Sequence, residues 1–199
     1  MVPVVDDEVS DVSDELIASI EALLPDFLPR QRWYGSDTAP DVVKVVSRRT
    51  LSQEPLLLWL LVDTTGRAGD VEGLPDTPDA SADQATERYQ LVVAGRPVGS
   101  EEKFLTGKER VTLGAVDGLV LYDALVDPEL TLDVLTQVAP DEQAEMARPL
   151  LMEQSNTSVV FDERLILKLF RRVHTGVRNP DIEVNRTLAE RGFPHVVPQ

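Results

Sequence analysis

The sequence predicts an α+β protein built on an antiparallel sheet with flanking helices. Three observations support this fold class. Apolar runs typical of strands follow one another with local connections. A helical pattern stands at each end of that series. Strands and helices do not alternate regularly, as they would in a protein with a parallel sheet.

The first helix is predicted from apolar residues at helical spacing between Leu16 and Leu24, with Ser13 as N-cap and Pro25 ending the pattern. Four strands and a second helix then follow. These predicted elements are Val42–Arg49, Leu56–Val62, Arg88–Ala94, Gly118–Asp123 and the helix Asp127–Val138. Between the second and third strands, Thr64–Thr86 is rich in Gly, Pro, Asp and Ser, which predicts a mobile connection.

A second unit begins after Pro140, where the character of the sequence changes. Three short apolar runs predict strands over Pro149–Gln154, Ser158–Phe161 and Leu165–Phe170, joined by hairpin turns at Ser155–Thr157 and Asp162–Arg164. A loop over Arg171–Arg178 and a last helix are predicted next. Asn179 is the expected N-cap, Pro180 the first helical residue and Gly192 the stop. We therefore divide the chain into domains 1–147 and 148–199.

The composition excludes several classes of protein. The 199 residues contain 35 Asp and Glu against 19 Lys and Arg, and the net charge of −16 disfavours nucleic acid and anionic membranes as partners. Without cysteine there is no disulfide or Cys-based metal site. The sequence has no apolar run long enough to span a membrane and no secretory signal at its start, so we expect a cytoplasmic protein.

The segment Arg164–Arg191 is basic although the rest of the chain is acidic. It contains seven Lys and Arg against three Asp and Glu. A local anion site for a small phosphorylated ligand is one interpretation, and a solvated basic helix face is the other.

Lys168 and Glu183 are the candidate site residues of this segment. Alternation places Lys168 on the same strand face as Ile166 and Phe170, amid apolar neighbours, where we expect its amine to be buried. Glu183 lies in the second turn of the last predicted helix. In protein-kinase-like folds a strand lysine contacts the nucleotide phosphates and a helix glutamate holds it in place. An ordinary exposed lysine is the alternative.

Two groups of residues resemble actinobacterial maltokinases. The first is Arg30-Gln-Arg-Trp-Tyr-Gly, and the second runs from Glu153-Gln-Ser-Asn-Thr-Ser through Leu165-Ile-Leu-Lys-Leu-Phe-Arg-Arg to Asn179-Pro-Asp-Ile-Glu-Val-Asn-Arg-Thr-Leu. Those enzymes phosphorylate maltose with ATP and Mg²⁺, giving maltose 1-phosphate for α-glucan and glycogen synthesis, often beside trehalose synthase. Their fold is similar to aminoglycoside phosphotransferases, with an N-terminal cap domain added. Related glucosamine kinases share much of the second group.

The resemblance implies a cap over residues 1–147 and the first part of a kinase-like N-lobe over 148–199. It implies nucleotide-binding roles for Lys168 and Glu183, and for a phosphate-covering turn of four residues (Ser155, Asn156, Thr157 and Ser158). Arg32 and Trp33 match the cap signature, and we interpret Trp33 as a core residue. Nucleotide, maltose and a partner such as trehalose synthase are expected for the full-length enzyme.

No segment matches the catalytic-loop or metal-loop motifs that phosphoryl transfer needs, so no catalytic or metal residue is assigned. By the resemblance those motifs belong to a C-terminal lobe. We therefore expect the 199-residue chain to be inactive, to bind no ATP or Mg²⁺ on its own, and to self-associate through its incomplete N-lobe. A stand-alone interaction module and a sugar-binding module without kinase chemistry are the alternatives.

Overall fold

A computed structural model describes residues 12–66, 86–100, 105–150, 156–174 and 180–193. Three α-helices lie in these ranges: α1 (Asp14–Phe27), α2 (Pro128–Val138) and α3 (Pro180–Glu190). Most of the predicted mobile connection is outside the described residues. The residues at its two ends belong to adjacent strands, in which Thr65 pairs with Thr86.

The larger sheet is antiparallel throughout. Its strands are β1 (Val42–Gln53), β2 (Leu56–Thr65), β3 (Thr86–Pro97), β4 (Thr112–Val116) and β5 (Leu119–Asp123), in the spatial order β1-β2-β3-β5-β4. Each predicted strand is present and most are longer than predicted. The sequence did not predict β4, since Thr112-Leu-Gly-Ala-Val is short and has a glycine at its centre.

The two faces of this sheet cover two different cores, as the alternation of β2 requires. Leu58, Leu60 and Val62 face α1, together with Phe27 and Trp33. Leu57 faces the opposite way, toward a second cluster that contains α2 and parts of the second sheet. The larger sheet is therefore the middle layer of the molecule.

The first helix continues past Pro25, which the sequence analysis placed at its end. Leu24, Phe27 and Leu28 are fully buried, and the Leu28 amide donates to the Leu24 carbonyl. A proline removes one helical hydrogen bond, but burial of the apolar side chains that follow keeps the chain helical for two more residues. The predicted N-cap is correct, because the Ser13 hydroxyl accepts from the Leu16 amide.

The second sheet has three antiparallel strands: β6 (Ala147–Leu150), β7 (Asn156–Phe161) and β8 (Leu165–Phe170), in that order. One face of this sheet is part of the second core, through Val159, Phe161 and Leu169. The α+β class, the antiparallel sheets and the three strands before a last helix are thus confirmed. The division of the chain into domains at residue 147 stays a prediction.

A short strand, β9 (Arg172–Val173), lies where a loop was predicted, and it pairs with Arg88 and Tyr89 of β3. It joins the end of the small sheet to the larger one. After it, α3 begins at Pro180 and ends before Gly192, as predicted.

Candidate functional site

Lys168 lies in β8 and its side chain is exposed, so the prediction of a buried amine is wrong. The alternation was interpreted correctly: Leu169 faces the core, whereas Lys168 shares the outer face with Ile166, which is 63% exposed. The Lys168 Nζ lies 5.3 Å from the ring centroid of Phe170. A charged amine held over an aromatic ring and open to solvent can receive an anionic ligand.

Three residues of the predicted phosphate-covering turn, Asn156, Thr157 and Ser158, belong to β7. Ser155 lies outside the described residues. Ser158 stands directly opposite Lys168 in the β7–β8 register, so the fold brings two of the predicted residues side by side. Thr157 is on the other face, toward the core. A nucleotide-binding role for these residues stays a prediction.

Glu183 lies in α3 and is exposed. The ion pairs recorded among the described residues do not include one between Lys168 and Glu183, and the proposed pairing of these two side chains stays a prediction. On the same helix, Arg186 and Glu190 form an i,i+4 pair at 3.8 Å.

Arg171 is the residue at this end of the chain that sequence reasoning missed. It was placed in a loop, yet it is 1% exposed and forms an ion pair with the buried Asp123. Its Nε donates to the Thr157 hydroxyl at 2.8 Å, and its guanidinium lies 5.0 Å from the Trp33 ring centroid. Burial lowers the pKa of Arg171, and the carboxylate of Asp123 opposes this effect.

A signal for this burial was present in the sequence. Leu167, Leu169 and Arg171 alternate along one strand, so Arg171 continues the core-facing row of β8. Trp33 is buried in the core beneath it, in agreement with the interpretation of Trp33 as a core residue.

Three arginines of the basic segment 164–191 pair with carboxylates of the preceding part of the chain. Arg164 pairs with Glu142, Arg171 with Asp123 and Arg172 with Glu87. In these contacts, cations of the basic segment neutralise carboxylates on the larger sheet and beside α2. Because these three arginines pair with carboxylates of the same chain, neither interpretation of the basic segment, as an anion site or as a solvated helix face, describes them.

Charged groups line two of the cavities among the described residues. One, of about 330 Å³, is bounded mainly by the Asp63–Arg88 and Glu87–Arg172 pairs and by His174. The other, of about 250 Å³, lies at the Arg30–Gly35 loop and includes Arg110. The described residues contain no cluster of three or more His, Asp and Glu suited to a metal ion. None of their helices has the length and apolar character needed to cross a membrane.

The loop beside the second cavity is held by hydrogen bonds to carbonyl oxygens far along the chain. Arg30 donates to the carbonyls of Glu109 and Thr112, each at 3.0 Å, and Gln31 donates to that of Arg110. These bonds fix the loop against the segment before β4 and present Trp33 to the core. Arg30 and Gln31 therefore have a structural role in this loop.

Residues 27–127 match the family described as the maltokinase N-terminal cap domain. The matched segment covers slightly more than half of the 199 residues. The chain belongs to this family. The match begins at the last residue of α1, includes β1 to β5 of the larger sheet and ends at Asp127, the N-cap of α2.

The cap domain therefore contains Trp33 and Asp123, whereas Lys168, Arg171 and Glu183 follow it. The resemblance of the Arg30–Gly35 group to maltokinases agrees with this assignment. The three-stranded sheet after the cap lies outside the matched segment.

Proposed function

We propose that this chain supplies the cap and the first strands of the nucleotide lobe of a maltokinase-like sugar kinase. The kinase transfers the γ-phosphoryl group of ATP to the anomeric hydroxyl of maltose. The bond between the γ-phosphorus and the β,γ-bridging oxygen breaks, a bond to the sugar oxygen forms, the hydroxyl proton is lost, and ADP leaves. The product is maltose 1-phosphate, a donor for α-glucan synthesis.

The observation that carries this proposal is the position of Lys168 in the small antiparallel sheet that follows a maltokinase cap. It stands on the outer face of an antiparallel sheet, opposite Ser158, and its side chain is exposed. Phosphoryl transfer depends mainly on positioning and on neutralising charge, and a strand lysine provides both for the nucleotide phosphates. Glu183 is proposed to hold the amine once nucleotide is bound.

The remaining parts of the reaction are assigned to a further lobe. A catalytic aspartate would accept the sugar hydroxyl proton, and an Asn and an Asp would hold Mg²⁺, which supplies charge neutralisation between the β- and γ-phosphates. The described residues offer no cluster of ligands for that ion.

The first test is the reading frame that encodes this chain. We expect it to continue past Gln199 into a segment with an aspartate-containing catalytic loop. A frame that ends there would instead support an interaction module that recruits a partner such as trehalose synthase.

The second test is the activity of the full-length protein with ATP and each of two acceptors, maltose and glucosamine. Formation of maltose 1-phosphate supports the proposal, and a preference for glucosamine would reassign the acceptor to that of the related kinases. Lys168→Ala should lower kcat/KM for ATP by roughly 100-fold. Lys108→Ala is the matched control, because Lys108 is an exposed lysine of the cap. Normal turnover of Lys168→Ala would remove the assigned phosphate role.

A further inference from the structure

The edge of β3 that faces β5 is shared by two strands from different parts of the chain. β5 pairs with it from Val93 to Pro97, and β9 pairs with it at Arg88 and Tyr89. The Gln90 amide donates at 2.8 Å to the carbonyl of Arg171, the residue just before β9. Asp123, the last residue of β5, and Arg171, the residue before β9, therefore meet where one strand ends and the other begins.

Arg171 connects the two units through its side chain at this junction. Its Nη2 donates to Asp123 of the cap, and its Nε donates to Thr157 of the small sheet. Its guanidinium also lies over Trp33, the tryptophan of the cap signature. The main chain is held as well, because the Gln90 side chain donates to the Phe170 carbonyl at 2.6 Å.

The burial of this ion pair calls for an explanation other than stability. Placing two charges in a core costs solvation, and an apolar pair of similar volume is often as stable. Moreover, Arg171 Nη1 is buried and has no hydrogen-bond partner among the described residues. What the ion pair supplies, and an apolar pair would not, is a fixed direction and distance between the groups it joins.

The strands that are held in this way carry the proposed nucleotide-binding residues. Arg171 follows Lys168 by three residues, on the continuation of β8. Thr157 precedes Ser158, which stands opposite Lys168 in β7. A shift of the Arg171 side chain would therefore move both strands at the end where Lys168 and Ser158 lie.

We propose that Arg171 is a positioning residue that fixes β7 and β8 to the cap through Asp123 and Thr157, and thereby sets the place of Lys168 for nucleotide. This inference rests on the proposed function. It gives the cap a part in nucleotide binding through the position of β7 and β8.

The decisive experiment is steady-state kinetics of the full-length kinase with two kinds of variant. Arg171→Lys keeps the charge but is too short and has the wrong shape to contact Asp123 and Thr157 together. The double variant Arg171→Met/Asp123→Asn removes both charges, and the asparagine oxygen can still accept from the Leu125 amide as Asp123 does, so that folding is preserved while direction is lost. Arg148→Gln is the control, because its pair with Glu163 lies on the surface of the same small sheet.

We expect both Arg171 variants to raise KM for ATP by about tenfold and to change KM for the sugar by less than about twofold. The double variant should retain the wild-type Tm, and Arg148→Gln should match the wild type throughout. A double variant with wild-type Tm and wild-type KM for ATP would overturn the inference. So would equal increases in both KM values, which a general loss of structure would produce.

A second measurement does not depend on the reaction and separates the two proposals. In the 199-residue chain, Arg171→Lys should make the β7–β8 amides exchange at least about tenfold faster, while the β1–β2 amides keep their rates. If the wild-type kinase phosphorylates no sugar but this local effect is present, the proposed function fails and the attachment of the strands stands. Uniform acceleration in both sheets, or none in either, would overturn the attachment itself.

Discussion

The carboxylate of Glu21 in α1 accepts a hydrogen bond at 2.7 Å from the main-chain amide of Val45 in β1. The register of β1 against β2 shifts between Val45 and Ser47, where a bulge interrupts the ladder. The second oxygen of Glu21 binds Lys44 Nζ. A helix side chain therefore satisfies a strand amide beside the bulge and fixes α1 over the larger sheet.

Removing this contact should destabilise the chain measurably. Glu21→Ala should lower the free energy of unfolding by about 1–2 kcal/mol, since a half-buried amide loses a charged acceptor. Glu21→Gln should recover most of the loss, because its amide oxygen can still accept. Urea denaturation measures both, with Glu15→Ala as the control for loss of an exposed charge on the same helix. Equal losses for Glu21→Ala and Glu15→Ala would show that the Val45 contact contributes nothing.

The pair of Asp63 and Arg88 predicts a pH dependence of stability. Two hydrogen bonds from Arg88, at 2.6 and 2.8 Å, lower the pKa of Asp63 below its ordinary value. A carboxyl whose pKa is lowered by folding stabilises the fold fully above its unfolded pKa, near 4, and loses that contribution as pH falls through the folded value.

Asp63→Asn should therefore cost about 1 kcal/mol at pH 7 and progressively less below about pH 4. Denaturation of the wild type and the variant between pH 3 and pH 7 tests this, with Asp41→Asn as an exposed control. A difference that stays constant across this range would mean that the Asp63 charge is not involved.

Asp127 performs two tasks at the start of α2. One carboxylate oxygen accepts from the Glu129 and Leu130 amides, and the other accepts from the Tyr122 hydroxyl at 2.7 Å and from Arg96. Burial raises the pKa of Tyr122 and the bond to Asp127 raises it further, so this hydroxyl stays protonated and donates.

Asp127→Ala should lower the free energy of unfolding by about 3–5 kcal/mol, because it removes the N-cap and leaves Arg96 and Tyr122 without their buried acceptor. Asp127→Asn keeps an N-cap and loses only the charge, so its cost should be clearly smaller. Thermal unfolding of both variants tests the separation. Similar losses would show that the cap contributes little beside the charge.

The sequence predicted the elements whose signals are local. Apolar alternation predicted the strands at Val42 and Leu56, and Gly192 predicted the end of α3. The continuation of α1 past Pro25 and the presence of β4 were not predicted, because burial against a distant sheet decided them against local preference.

The candidate site was predictable only in part for a similar reason. Alternation placed Lys168 on the correct face of its strand, but exposure depended on what covers that face. Arg171 was assigned to a loop because its partners, Asp123 and Trp33, are 48 and 138 positions away in the sequence. The strand period of Leu167, Leu169 and Arg171 was the one local sign of its burial.

The end of α3 gives a further test, since this helix carries Glu183. The Gly192 amide donates to the Ala189 carbonyl and the Phe193 amide to the Leu188 carbonyl, each at 3.0 Å, which is the Schellman pattern. Gly192 has φ of +70°, and a Cβ added there would meet no atom within 4 Å. Any cost of substitution must therefore come from the backbone conformation and not from a clash.

Gly192→Ala should destabilise α3 by about 1 kcal/mol, and Gly192→Asn by less, because asparagine adopts the left-handed conformation more readily. Amide exchange at Leu188 and Ala189 measures the effect in α3 directly, and amides of α1 serve as the internal control. If the Leu188 and Ala189 amides of both variants exchange at the wild-type rate, the turn is not held in the left-handed conformation. The orientation of Glu183 would then depend on what binds beside it and not on the helix end.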